Sequence, residues 1–405
     1  MADRGIMIQP PSLFPYSVWM KALLAGLIAL LPLHAAGAET LSPGLCPFEA
    51  KLIKKNFTAA IRKDYGDGFI AEAFGRRERW YGPCARAELI GRDRWKLDYP
   101  EAEVSIELQR RGGKIEQFEF QHAEFKADSF EKFRAFFAKN FSRGSFLIDG
   151  AGGVAFDKDK YLAVGEAHDL LLAAEVEKGI AEGRLSNQRK FALQNTDRVK
   201  DSDDLAEEKE GFSVSIADLK DRIFNRQDRT AADMALRIVG AKSLEEDRPA
   251  AGAFLSKREF AWLMGLSPAK MGALKKENAR AEAARLNQPG EYPPFTLERY
   301  DHLAKAGWFA TTAELCAAAA SLTSVPEITG GMASRNFLSQ RGRWKSVVYH
   351  AARDFGIAQT TWVAQAGPRK APRCFSLTIN EASAVDESTI LEMEDRVAKL
   401  FNASN

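Results

Sequence analysis

The sequence predicts an α+β protein in two parts, each a set of helices packed on an antiparallel sheet. Three observations carry that expectation. Val104, Ile106 and Leu108 alternate with charged residues, Gly112-Gly113 turns the chain, and Phe118 and Phe120 alternate again. Period-two alternation on both sides of such a turn is a hairpin with one buried face. Apolar residues recur at spacings of three and four over residues 129–141 and through Ile390, Met393, Val397 and Leu400, the mark of amphipathic helices. Between these the order reads two short strands, a run of helices, three strands and a last helix.

Taken in order, Leu52, Ile53, Phe57 and Ile61 predict one helix over residues 46–64, which packs on the hairpin as a small unit, residues 39–127. Residues 129–141 place Phe130, Phe133 and Phe137 on one helix face. Strands follow at 145–148 and 154–156, joined by Asp149-Gly150-Ala151-Gly152-Gly153. A phosphate cradle needs a helix after such a stretch and a Lys-Ser/Thr pair, and neither follows, so it reads as a hairpin turn. A helix over 166–182 ends at Gly183. The charge run RVKDSDDLAEEKE (198–210) reads as a solvated loop. Ile216, Leu219 and Ile223 mark another helix, and residues 230–239, 256–286 and 311–322 are helical in pattern. Strands are expected at 346–349, 356–363 and 374–379.

Composition narrows the function classes. Lys+Arg 57 against Asp+Glu 55 leaves a net charge of +2, which argues against a nucleic-acid partner held by phosphate contacts. Aromatic residues at 10% exclude disorder, and a mean hydropathy of −0.29 excludes a polytopic membrane protein. Residues 22–33, ALLAGLIALLPL, form an apolar run too short to span a bilayer comfortably, after Lys21 and before Ala36-Gly37-Ala38. Small residues at those last positions are what a signal peptidase reads, so residues 1–38 are expected to be a signal peptide, with translation starting at Met20. The expected product is exported, periplasmic or secreted, with no membrane span after cleavage. Four cysteines in an oxidising compartment favour two disulfides, and their distribution favours Cys46–Cys84 and Cys316–Cys374 among three possible pairings. No Cys/His spacing indicates zinc, and no cofactor is expected.

Local sequence adds a family resemblance over most of residues 128–403. EVEKGIAEGRLS (175–186) is similar to the end of the nucleophile-bearing helix of class A β-lactamases. QDRTAADMALRIVGAKSLEE (227–246) is similar to their Ser-Asp-Asn segment, and AGAFLSKREF (251–260) resembles a block of a two-domain exported subgroup. The resemblance implies a β-lactamase/transpeptidase-like domain over 128–405, with a steroid-isomerase-like domain at 39–127. Its chemistry requires Ser-x-x-Lys, so that an amine helps deprotonate the serine, then Ser-Asp-Asn, then Lys-Thr-Gly on a strand.

Carried over by counting from the matched segments, none of the three is intact. Ser-x-x-Lys falls on Glu166-Ala167-His168-Asp169, Ser-Asp-Asn on Gln227-Asp228-Arg229, and Lys-Thr-Gly on His350-Ala351-Ala352. Literal Ser-x-x-Lys matches at Ser129–Lys132 and Ser267–Lys270 lie outside the expected helix. The degenerate positions Glu166, Asp169, Asp228, Arg229 and His350, with Arg353, are expected around the cleft, while His168 points off that face. Three function classes follow: a catalytically degenerate exported protein that binds a small molecule or cell-envelope ligand, a serine hydrolase using displaced residues, and a non-serine hydrolase built on the acidic/His cleft.

Overall fold

The computed structural model describes residues 45–126, 128–150, 152–199, 202, 204–286, 306–331, 344–354, 356–367, 369–381, 385 and 387–403. The expected signal segment, with Met20, lies outside the described residues. Leu41–Asn405 form one compact unit.

The first part is a long helix, α1 (Ala59–Tyr81), kinked at Gly66, where φ is +81°, on a four-stranded antiparallel sheet, β1 (Arg86–Leu89), β2 (Arg94–Asp98), β3 (Ala102–Arg111) and β4 (Lys114–Phe125), in that spatial order. The β3–β4 hairpin is the one the alternation predicts, with Val104, Ile106 and Leu108 buried against the helix. The single helix expected over 46–64 is instead broken. A short turn, Ile53–Asn56, ends at an extended Phe57, and Thr58 caps α1 by accepting from the backbone N–H of Ile61. The periodicity is continuous across that break because Phe57 and Ile61 enter the same core.

The second part surrounds a five-stranded antiparallel sheet. Its strands are β5 (Gly144–Asp149), β6 (Ala155–Phe156), β11 (Ser346–Asp354), β12 (Ile357–Gln365) and β13 (Arg373–Asn380), ordered β11-β12-β13-β5-β6. Two small ladders flank it: β7 (Leu162–Ala163) with β10 (Phe309–Ala310), and β8 (Lys190–Ala192) with β9 (Ser213–Ser215). The helices that matter below are α2 (Phe130–Asn140), α3 (Asp169–Ala181), α4 (Ile216–Asp221), α5 (Arg229–Val239), α6 (Lys257–Met264), α7 (Thr312–Ser321) and α8 (Glu387–Ala403). Strands near each end of this second part thus build one sheet while its middle is helical.

Side-chain alternation divides the core between the two faces of this sheet. Val348, Ala352, Ile357, Val363 and Cys374 face the helical body formed by α3, α5 and α7. Val347, Ala358, Trp362, Phe375 and Leu377 face α2, α8 and, beyond them, the first part of the chain. β12 is buried along nearly its whole length although Gln359-Thr360-Thr361 interrupts it. Three of its polar side chains find partners inside: Gln359 Nε2 donates to Thr361 Oγ1 at 2.5 Å, Thr361 and Ser376 hydroxyls meet at 2.8 Å, and Thr360 donates to Glu394, while Gln359 Oε1 is buried without a partner among the described residues.

Both expected disulfides are present, Cys46–Cys84 and Cys316–Cys374. The charge run at 198–210 is not simply a solvated loop. Val199 and Leu205 are buried, and Arg198 folds back to donate to the carbonyls of Ala206 and Glu208. Among the described residues no helix is long and apolar enough to cross a membrane.

Candidate functional site

The N-termini of three helices converge on one buried cluster. A 3-10 turn, Gly165–His168, leads into α3, so Glu166 and Asp169 stand one turn apart. Asp228 caps α5 by accepting from the backbone N–H of Ala231 at 3.1 Å, which makes Arg229 the first helical residue. Ser256 and Glu259 form a capping box on α6, which makes Lys257 its first residue. Asp233 of α5 ties α6 down, accepting the backbone N–H of Lys257 at 2.5 Å and of Arg258 at 2.9 Å.

The charges are matched inside this frame. Arg229 Nε donates to Glu166 Oε1 at 2.8 Å, and Lys257 Nζ lies 3.6 Å from the same oxygen. Lys257 Nζ also donates to Asp169 Oδ2 at 3.2 Å. Its ammonium lies over the Trp308 ring, 5.2 Å from the centroid, and His168 stacks on that indole at 3.9 Å. The Trp308 indole N–H in turn donates to the carbonyl of Leu255, which fixes the ring. His168 Nδ1 meets the Gly165 carbonyl at 3.0 Å, so His168 is a structural residue of the turn.

Proton affinities follow from burial and from the two cations. Burial alone would raise the pKa of Glu166, but Lys257 and Arg229 together hold it at about 2. Asp169 has only a share of Lys257 and faces the Glu166 charge, so burial dominates and pushes it up to about 6. Asp354, at the end of β11, is raised to about 6 by burial and by Glu166. Burial and Lys257 lower His350 to about 4, and His168 well below its ordinary value. Both imidazoles are therefore neutral at pH 7.

Of the positions counted out from the sequence, Glu166, Asp169 and Arg229 meet in one network, and His350 on β11 feels its field. Asp228 does not join it. It accepts from Ser202 Oγ at 2.7 Å and lies 3.7 Å from Arg222. Arg353 turns its guanidinium onto the carbonyls of Ala352 and Gln359. The residue that sequence reasoning missed is Lys257, although it lies inside the quoted segment 251–260. Its signal was the Ser-x-x-Glu capping box at 256–259, which fixes it at a helix start.

The two literal Ser-x-x-Lys matches are helix caps. Ser129 Oγ accepts from the Lys132 backbone N–H at 3.1 Å, and Ser267 Oγ from that of Lys270 at 3.5 Å. The same spacing that serves an acylating serine places a capping hydroxyl against the third helical amide. Among the described residues no serine hydroxyl hydrogen-bonds to Glu166, Asp169 or Lys257, and no group of His, Cys, Asp and Glu is arranged to hold a metal ion.

Solved structures similar to this chain include an ancestral (GNCA) class A β-lactamase, at 16% identity and a TM-score of 0.46, covering 68% of this chain and 99% of that one. A β-lactamase from Sphaerobacter thermophilus DSM 20745 shares 14% identity at a TM-score of 0.44, covering 68% and 98%. One from Xanthomonas campestris pv. campestris str. ATCC 33913 shares 14% at 0.44, covering 68% and 96%. No curated protein matches the chain. The beta-lactamase enzyme family model matches residues 132–286, so this part of the chain is β-lactamase-like.

Proposed function

We propose that this is an exported β-lactamase-like protein that acts by binding a ligand or a cell-envelope partner and has lost the acyl-enzyme chemistry of its relatives. The observation that carries the reading is the ion cluster itself. Glu166 occupies the position counted out for the nucleophile, and a carboxylate held by Arg229 and Lys257 is not acylated as a serine is. Asp169 occupies the position of the activating amine with the opposite charge. Lys257 is engaged by two carboxylates, which removes it as a free base. Ser129 and Ser267 are spent on caps. The two disulfides favour an oxidising compartment, periplasmic or extracellular.

Intact-mass spectrometry after incubation with benzylpenicillin and, separately, with a fluorophosphonate tests this reading. Unchanged mass is expected. An adduct on a single serine overturns it.

A second reading, acid–base hydrolysis without a serine, is favoured by one observation. His350 Nδ1 is buried and has no hydrogen-bond partner among the described residues. If the cleft turns over a substrate, a hydrolysis screen detects activity that Glu166→Ala and His350→Ala both remove. If it only binds, neither the parent nor the variants hydrolyse anything.

A further inference from the structure

The free edge of β4 forms a second site, far in sequence from the cluster and independent of the reading given to it. β4 is the outer strand of its sheet. At its start the chain covers its own edge: Phe57 bridges Ile115 in parallel, and the Thr58 N–H donates to the Ile115 carbonyl at 2.9 Å. Then α1 begins and turns away. At the other end α8 takes over, with Arg396 over the Phe125 ring at 3.7 Å. Between these covers lies a window, Glu116–Gln121, about 20 Å long at ~3.3 Å per residue. Among the described residues, its backbone groups bond only to β3.

The window opens on a groove of about 840 Å³ between β4 and α1, closed at one side by Leu391 and Glu392 of α8. Its floor is apolar, with Ile61, Ala73 and Phe118. On the α1 wall Tyr65 and Phe69 stack on each other at 5.4 Å, yet remain 60% and 52% exposed. Arg77 is turned inward onto the Phe120 ring at 3.5 Å and the Ala73 carbonyl. The charge at the rim is therefore acidic, from Asp64, Glu116 and Glu119. Glu116 reaches Arg111 at 3.2 Å, and Asp64 and Glu119 have no ion-pair partner among the described residues.

We propose that Glu116–Gln121 is a docking site for an extended basic peptide segment of a partner protein, which adds as a fifth strand in parallel with β4. Main-chain bonds to the open edge supply affinity, as in strand addition generally. Alternate side chains, apolar toward Tyr65 and Phe69 on the α1 face and basic toward Glu119 on the opposite face, supply selectivity. The step already made by Phe57 and Thr58 shows the direction in which this edge accepts a strand. Acidic side chains on a free edge also discourage self-pairing, because two copies would bring like charges together.

The experiment uses the full chain and a fluorescent, acetylated and amidated hexapeptide alternating lysine and valine, read by anisotropy. Saturable binding is expected. It should weaken about tenfold or more for the glutamate–valine counterpart and for the lysine–valine peptide N-methylated on alternate amides. Glu119→Lys and the double variant Tyr65→Ala/Phe69→Ala, all at exposed positions, should weaken it about tenfold with thermal midpoints unchanged. Absence of saturable binding overturns the proposal. So does equal binding of the acidic or N-methylated peptide, or indifference to both variants. A dimer in sedimentation that Gln117→Pro dissolves also overturns it, by placing a second copy on the edge.

Discussion

Lys257 Nζ lies 3.2 Å from Asp169 Oδ2, although 88 residues separate the two in sequence. Their side chains are 4% and 7% exposed. A buried ion pair adds little net stability against a well-packed apolar pair, but breaking it strands a charge at a cost of about 3–5 kcal/mol. Lys257→Met is expected to lose that much in urea unfolding. Lys257→Met combined with Asp169→Leu should recover part of the loss, since Arg229 still serves Glu166. A double variant as unstable as the two singles added together would show that the pair is not coupled.

Acid unfolding tests Glu166. Its carboxyl is held at about 2 in the fold against an ordinary value near 4.5. The folded state therefore binds fewer protons than the unfolded state between these limits, and stability falls as pH drops through that window. The Glu166 side chain is 26% exposed. With that screening, the contribution is about 1–3 kcal/mol. Glu166→Gln is expected to be less stable at pH 6, and the gap to the parent should close between pH 4.5 and 2. A gap that stays constant down to pH 2 would remove the ion cluster from the acid response.

Gly165 is a sharper steric probe. Its φ is +54°, and a Cβ built there would stand 2.2 Å from Asp354 Oδ2. Gly165→Ala combines left-handed strain with displacement of the half-buried Asp354 carboxylate. Destabilisation of about 1–3 kcal/mol is expected from the backbone alone. Gly183 has a φ of +73° and open space around it, so Gly183→Ala should cost less. Equal costs at the two positions would mean that Asp354 moves freely.

Cys316 on α7 and Cys374 on β13 close a loop of 58 residues and tie the helical body to the sheet. Replacing both with alanine is expected to lower stability by about 2–4 kcal/mol. Reducing agent should then have a smaller further effect on the double variant than on the parent. Thermal unfolding with and without dithiothreitol measures both.

What could be read in advance divides along physical lines. The β3–β4 hairpin and α2 were legible because a single buried face imposes a period that local sequence records directly. β1 and β2 were not read: Arg-Ala-Glu-Leu buries none of its residues, and Arg-Trp-Lys-Leu-Asp alternates as a half-buried strand does, with Trp95 and Leu97 inside, but over only five residues. Counting from matched segments reached Glu166, Asp169 and Arg229, because each stands at a fixed offset from a helix that the family resemblance covers. Lys257 escaped because a lysine at the first position of a helix is ordinarily solvated. Its burial is decided by Trp308 and Asp169, neither near it in sequence. Asp228 was placed by the same counting, yet its local role as a cap leaves it outside the network.

The core shared by the first sheet and α8 bears on how the protein is made. Tyr81 donates to Glu392, Arg396 grips Asp128 through both carboxylate oxygens, and Arg76 reaches Thr389. Synthesis runs from the N-terminus, so Thr389, Glu392 and Arg396 leave the ribosome 268 to 313 residues after their partners. The first sheet is thus completed by a helix made much later, and a nascent chain stopped short of residue 387 keeps an open flank of Phe125, Phe133 and Phe136. Such a protein holds part of its folding in reserve until α8 is made. A chaperone that masks aromatic surface has its longest opportunity in that interval.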